Sequence, residues 1–205
     1  MDVRLRMSVA TRLSRYLQVA RRAAKGGAES ISSYEIAAYT GVNATQVRRD
    51  LSSFGKFGKR GSGYEIDVLC ERLRTVLGAD ESQSVVIVGA GRVGEALLSS
   101  QLSDAQGIEI VGIFDVDSRK IGKQIGPLSV SPAQELKQQV ERHSARGGVI
   151  AVPAQDAQGV ANELVEAGVR VLFNYSEALL NVPSDVTVRT LSPAAELLSM
   201  LSRSA

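Results

Sequence analysis

The sequence predicts an α/β protein in two parts, a small basic helical module followed by a doubly wound parallel sheet. Three observations predict it. Charge is divided along the chain: residues 1–64 hold twelve Lys/Arg against four Asp/Glu, net +8, and the other 141 residues carry −6, so the overall +2 conceals a split. Apolar residues recur with helical spacing through the first part, then change to short β-branched runs alternating with helical stretches. A glycine-rich turn stands where the first β-branched run gives way to a helix. With 44% hydrophobic and 22% charged residues the composition is that of a folded chain. No run approaches the ~20 apolar residues of a membrane span. The first residues, with Asp2, Arg4 and Arg6, lack a signal-peptide core, and Cys70 stands alone, so a reducing, cytoplasmic location is expected.

The first domain is expected over residues 1–78. Val9, Leu13, Tyr16, Leu17 and Ala20 form one helix face, and Gly26-Gly27 ends that helix. Ser32 and Glu35 have capping-box spacing ahead of a short helix through Ile36 to Tyr39. Gly41 suits the left-handed conformation of a tight turn, and Asn43 with Gln46 caps a third helix, about Ala44 to Ser52, in the same way. Two short helices joined by such a turn are a helix-turn-helix. The second places Val47 and Leu51 in the core and offers Gln46, Arg48 and Arg49 to base edges, guanidinium for guanine and amide for adenine.

From Phe54 to Ile66, glycines at 55, 58, 61 and 63 exclude a helix and fit a β-ribbon, with Lys59 and Arg60 at its tip for a narrow minor groove. This is the wing of a winged helix; the alternative is a mobile or phosphate-binding loop, although the Gly-Lys-Ser/Thr ending of a Walker-type loop is absent. The expected DNA contacts are Ser33, Asn43, Gln46, Arg48, Arg49, Lys56, Lys59, Arg60 and Tyr64. Asp67 is expected to cap a helix carrying Leu69, Leu73, Val76 and Leu77, in which Cys70 fills core.

After a polar linker at 79–84, Val85 to Val88 reads as a strand buried on both faces, opening a second domain over 85–190. It leads into Gly89-Ala90-Gly91-Arg92-Val93-Gly94 and a helix. In this pattern the first glycine permits the turn, the second admits a pyrophosphate and the third allows close helix–strand packing. The helix N-terminus supplies amide donors for the phosphate. The next strand, Ile108 to Phe114, ends at Asp115, 21 positions past Gly94, where a carboxylate accepts from an adenosine ribose and repels a 2′-phosphate. This is the Rossmann pattern and favours NADH and NAD⁺ over their phosphorylated forms, with Arg119 and Lys120 nearby as a counterweight; an Asp that merely caps a turn is the plainer alternative.

A helix about Pro132 to His143, a strand Gly148 to Val152, a helix to Ala167 and a strand Val169 to Phe173 continue the alternation. Val152-Pro153-Ala154 and Asn174-Tyr175-Ser176 fall at carboxyl ends of strands, where a nicotinamide pocket belongs. The expected cofactor residues are Gly89, Ala90, Gly91, Arg92, Val93, Gly94, Asp115, Val116, Lys120, Val152, Pro153, Ala154, Asn174 and Tyr175. A last strand, Val186 to Arg189, precedes a terminal segment, 191–205, in which Ser192 caps a helix starting at Pro193. Its stripe of Ala194, Leu197, Leu198 and Leu201 either folds back on its own domain or inserts into a second subunit.

Catalytic equipment is not expected. The single histidine, His143, falls near the end of a surface helix, no tyrosine has a lysine four residues on, and no metal-ligand cluster is evident. A cofactor domain without such groups reads as a sensor. A small NAD-dependent oxidoreductase, and a nucleotide- or CoA-binding module with a basic protein-interaction arm, remain the alternatives.

The order of domains resembles the Rex family of redox-sensing transcriptional repressors. The likeness rests on Ser32-Ser33-x-x-Ile36-Ala37, Val47-Arg48-Arg49-Asp50-Leu51, the run Phe54 to Tyr64, Gly89-Ala90-Gly91-x-x-Gly94-x-Ala96-Leu97, Phe114-Asp115, Lys120-Ile121-Gly122, Val152-Pro153-Ala154 and Asn174-Tyr175. The resemblance implies a homodimer with its C-terminal helix exchanged between subunits, binding a palindromic operator and released by NADH. It also implies an arginine at Gln18, a tyrosine near Ser100 and an aspartate near Ser192, residues tied in the family to linking cofactor state to domain orientation. This chain has none of the three.

Overall fold

The computed structural model describes residues 3–55, 58–59, 63–80, 82–99 and 107–202. The chain divides into two compact units, Met1–Glu81 and Ser82–Ala205.

In the first unit, α1 (Val3–Lys25) buries Leu13, Tyr16, Leu17 and Ala20, the stripe its spacing predicts. After β1 (Ser30–Ile31), α2 (Ser33–Thr40) opens on the full capping box: the Ser32 amide donates to Glu35 Oε2 (2.7 Å) and the Glu35 amide to Ser32 Oγ (3.2 Å). Gly41 ends α2 in the left-handed region, at φ +68°. Asn43 Oδ1 accepts from the Gln46 amide at the start of α3 (Ala44–Ser52), but the reciprocal arm expected of Gln46 is absent, because its side chain reaches Asp50 instead.

Strands β2 (Gly58–Lys59) and β3 (Gly63–Glu65) pair antiparallel, and β1 lies on the other side of β3. A Cβ at Gly63, where φ is +76°, would stand 2.8 Å from the Ile31 carbonyl oxygen, so the ribbon requires glycine there. Helix α4 (Ile66–Leu77) starts one residue before Asp67, which lies in the first turn and does not cap it; Glu65 is the flanking residue. Ile36, Val47, Leu51, Ile66, Leu69 and Leu73 close the core with the α1 stripe, each such side chain contributing about 1.5–3 kcal/mol by burial. Cys70 packs half-buried against that core, and burial pushes its thiol pKa up.

In the second unit, β4 (Gln83–Val88) starts two residues before the expected strand and lies mid-sheet. Helix α5 (Arg92–Ser99) leads to β5 (Ile108–Asp115) on one side of it. A short hairpin that the sequence did not reveal follows: β6 (Gln124–Ile125) and β7 (Leu128–Pro132) pair antiparallel, and β7 runs parallel to β5 with Pro132 opposite Asp115. Pro132 therefore ends a strand rather than starting a helix; a 3₁₀ turn, Ala133–Glu135, intervenes before α6 (Leu136–His143).

Strand β8 (Gly147–Ile150) pairs with the other side of β4, then come α7 (Ala154–Glu166), β9 (Val171–Asn174) and β10 (Thr187–Thr190). The sheet order is β10-β9-β8-β4-β5-β7-β6, parallel except at the β6 edge. Successive strands are added first on the β5 side of β4 and then on its β8 side, and such a switch point opens a crevice at the strands' carboxyl ends. Helix α8 (Pro193–Ser202) closes the described chain, with the Ala195 amide donating to Ser192 Oγ (3.4 Å). Leu197, Leu198 and Leu201 are 57%, 67% and 59% exposed, so the described residues of the second unit leave this stripe uncovered. Among the described residues no helix is long and apolar enough to cross a membrane.

Candidate functional site

The crevice at β4 holds a cavity of about 820 Å³. Its floor is the glycine turn. At Gly89, φ is +106° and a Cβ would overlap the Ala151 carbonyl; a Cβ at Gly94 would overlap the Gly89 carbonyl. Both positions are closed to side chains by backbone. At Gly91 a Cβ would meet nothing within 4 Å, so this glycine faces open space, as close approach of a pyrophosphate requires. The first turn of α5 directs amide donors and a positive dipole end toward that space.

Asp115, at the end of β5 and 8% exposed, ties the turn to the sheet. Its Oδ2 accepts from the Ala90 amide and from Lys120 Nζ, both at 2.8 Å, and its Oδ1 accepts from the Asp117 amide at 2.9 Å. Burial opposes ionisation of Asp115, but the bonds from Lys120 and the two amides outweigh it and hold its pKa below the ordinary carboxylate value. Arg119, beside it in sequence, is exposed and turned onto Asp117.

Gly89, Gly91, Arg92, Val93, Asp115, Val116, Lys120, Val152 and Pro153 line the cavity together. Ala90 and Gly94 support it from beneath through the Asp115 bond and the tight turn. Ala154, the first residue of α7, is exposed and is not part of the lining. Asn174 and Tyr175 are also outside it. Asn174 is fully buried, donating to the Ala178 carbonyl and Thr190 Oγ1 and accepting from the Ser176 amide and hydroxyl, which makes it a pin for the β9 loop. Tyr175 packs edge-on against Phe173, ring centroids 5.3 Å apart. One wall was missed from sequence: Gln155, Asp156, Gly159, Val160 and Glu163 of α7. Their i, i+4 and i, i+3 spacing and the mid-helix Gly159 were the available signal.

In the first unit Arg48 and Arg49 are exposed and Gln46 is half-exposed on α3. Arg48 Nη1 donates to Ser33 Oγ (2.9 Å) and Nη2 to Thr45 Oγ1 (3.1 Å), and its guanidinium lies 5.6 Å from the centre of the Tyr34 ring. It thereby braces the two helices of the turn. Asn43 is committed as a helix cap. Tyr64 is half-buried on β3, with its pKa raised by burial. Lys59 lies on β2; Lys56 and Arg60 fall outside the described residues. Among the described residues no cluster of His, Cys, Asp and Glu could hold a metal, and His143 is exposed at the end of α6.

Residues 6–52 match the family described as putative DNA-binding protein N-terminus, and residues 80–178 match the CoA binding domain family. A redox-sensing transcriptional repressor Rex from Rubrobacter xylanophilus is 40% identical over 98% of this chain and 93% of its own length. The Desulforamulus reducens Rex is 42% identical over 91% and 89%. Among solved structures, RSP in complex with β-NAD⁺ and operator DNA superposes with a TM-score of 0.83 at 32% identity, covering 96% of this chain and 91% of RSP. RSP with β-NADH gives 0.82 at 30%, covering 96% and 92%. This chain, with a helix-turn-helix and ribbon ahead of a glycine-turn cavity, belongs to the Rex family of redox-sensing transcriptional repressors.

Proposed function

We propose that this chain is a cytoplasmic, dimeric repressor that binds a palindromic operator and releases it when NADH fills the cavity at β4. One observation carries this: full-length relatedness to Rex proteins and to RSP, which has been seen with NADH and with operator DNA, in a chain whose glycine turn and Asp115 fit a dinucleotide. The proposed ligand contacts are the α5 amides for pyrophosphate, Asp115 for adenosine ribose, and Val152 and Pro153 for the nicotinamide end. The proposed DNA contacts are Arg48, Arg49, Gln46 and the ribbon lysines and arginine, with Ser33 on the backbone side. Regulation, not turnover, is the proposed activity, as the relatives are transcriptional repressors.

Exposure of Leu197, Leu198 and Leu201 supports α8 as the dimerisation element, inserted in a second copy. On a two-fold dimer the recognition helices would meet successive major grooves about 34–36 Å apart. NADH need only favour an arrangement that breaks this spacing; a coupling of about 1–3 kcal/mol gives roughly 5–150-fold relief, and DNA must weaken NADH reciprocally. At the positions where the chain departs from the family pattern, Gln18 is exposed on α1, Ser192 caps α8 and Ser100 falls outside the described residues. A gel-shift titration of a palindromic promoter fragment tests the proposal: NADH should release the duplex and NAD⁺ should do so less. Equal retention with and without NADH would end the sensor interpretation. The match to CoA binding domains favours one competitor ligand, which the same titration with CoA checks.

A further inference from the structure

Asp50, on the recognition helix α3, is 5% exposed and accepts four hydrogen bonds. Arg12 Nε (2.6 Å) and Nη2 (2.8 Å) and the Tyr16 hydroxyl (2.8 Å) reach it from α1, and Gln46 Nε2 (2.6 Å) reaches it from the preceding turn of α3. The carboxylate thus fastens α3 to α1. An ionised carboxylate has no hydrogen to give, so it faces the NH₂ end of the Gln46 amide and never the oxygen. The orientation of an amide is ordinarily open to inversion; here the partner's chemistry settles it. Gln46 is half-exposed, next to the exposed Thr45 and Arg49 around the helix.

We propose that Asp50 is a positioning residue, fixing the Gln46 amide with Oε1 turned to the groove so that this side chain reads the major-groove edge of adenine. The inference rests on the DNA-binding assignment above and deepens it. With one N–H held by Asp50, the amide still has Oε1 as acceptor and a second N–H as donor. Adenine presents the matching pair, the N6 amino donor beside the N7 acceptor. Guanine O6 and thymine O4 would each set oxygen against oxygen. Cytosine N4 can donate to Oε1 but offers the second N–H nothing. Asp50 itself touches no base; Arg12 neutralises it, so a negative charge beside the phosphates is not left bare.

The test is selection of bound sequences from a duplex library with each operator half-site randomised, using the full chain as wild type, Gln46→Met and Asp50→Asn. Wild type should enrich adenine at one base pair per half-site by roughly 5- to 150-fold. Gln46→Met should lose preference at that base pair alone. Asp50→Asn, whose carboxamide can donate as well as accept, lets the Gln46 amide invert and should extend tolerance to guanine and thymine at the same position. Circular dichroism reports whether each variant is folded. If Asp50→Asn is not, Asp50→Glu, which keeps a charge for Arg12 but moves the carboxylate away from the Gln46 amide, should weaken the adenine preference at that base pair alone. An unchanged profile for Gln46→Met or for a folded Asp50 variant, or a loss spread evenly over all positions, overturns the proposal while leaving DNA binding standing. A wild type that selects no sequence overturns both.

Discussion

Asp115 and Lys120 form a 2.8 Å ion pair on the wall of the dinucleotide cavity, through the same carboxylate oxygen that accepts from the Ala90 amide. The other oxygen accepts from Asp117. In the proposed binding mode a ribose diol arriving at Asp115 competes with Lys120, which would then turn its ammonium to the ligand. Asp115→Ala should weaken NADH about tenfold or more, since a charge-assisted hydrogen bond contributes about 1.5–3 kcal/mol. It should also narrow the gap between NADH and NADPH, because the charge that repels a 2′-phosphate is gone. Lys120→Met should widen that gap. Calorimetric titration with both cofactors checks this; an unaltered NADPH/NADH ratio in Asp115→Ala would remove the ribose role.

Two glycines of one turn should respond oppositely to alanine. At Gly94 the new methyl group meets the Gly89 carbonyl, which is backbone and cannot step aside, so Gly94→Ala should destabilise the unit by about 1–3 kcal/mol and lower its melting temperature. At Gly91 the space is open, so Gly91→Ala should melt near wild type yet bind NADH poorly. A Gly91→Ala protein with full NADH affinity would mean that the phosphates do not approach there.

Acid should unfasten the first unit through Asp50. Burial raises the cost of its charge, but hydrogen bonds from Arg12, Gln46 and Tyr16 more than offset this and place its folded pKa below the ordinary value. A carboxyl with a depressed folded pKa stabilises the fold above its unfolded pKa, near 3.9, and loses that contribution as pH falls through the folded value. Denaturation curves should thus show stability falling below about pH 4, with a shallower decline in Asp50→Asn. Parallel curves would mean that other carboxylates govern the acid limb.

Arg60→Ala should lower operator affinity and leave NADH affinity unchanged, since the basic surplus lies in residues 1–64 and the cavity in the second unit. Wild-type affinity should fall steeply with salt as counterions are released, and the slope should shrink by about one for each phosphate contact removed. A salt-independent affinity would exclude phosphate contacts.

Charge placed on the α8 stripe should split the proposed dimer. Leu198→Glu, at a position 67% exposed in the single chain, should leave the fold intact and shift the sedimenting species to a monomer with reduced operator binding. A variant that stays dimeric would place the interface elsewhere.

Features legible in the sequence were those set by neighbours a few residues apart. Ser32 with Glu35, Gly41, and Gly89 to Gly94 after a β-branched run all act through the backbone of a single turn, so spacing alone announced them. The same locality misled at Gln46 and Pro132. Capping-box spacing fits Gln46 equally well, but Asp50, already gathered with Arg12 and Tyr16 from 38 and 34 residues away, offers its amide a stronger acceptor. Pro132 suits a helix start, yet a two-strand hairpin too short to show a period carries it into the sheet opposite Asp115. Asn174 has the composition of a ligand contact, but its amide is closed internally by the loop and strand that follow.

What the sequence by itself determined is the division of charge, the helix-turn-helix with its ribbon, and a dinucleotide turn answered by an acid 21 residues on. What only tertiary structure decided is which polar side chains remain available to a ligand and which are closed upon the protein, and that α7 supplies a cavity wall. The physical reason is range: backbone turns are governed by interactions within about four residues, whereas hydrogen-bond partners and cavity walls are selected by packing among residues distant along the chain.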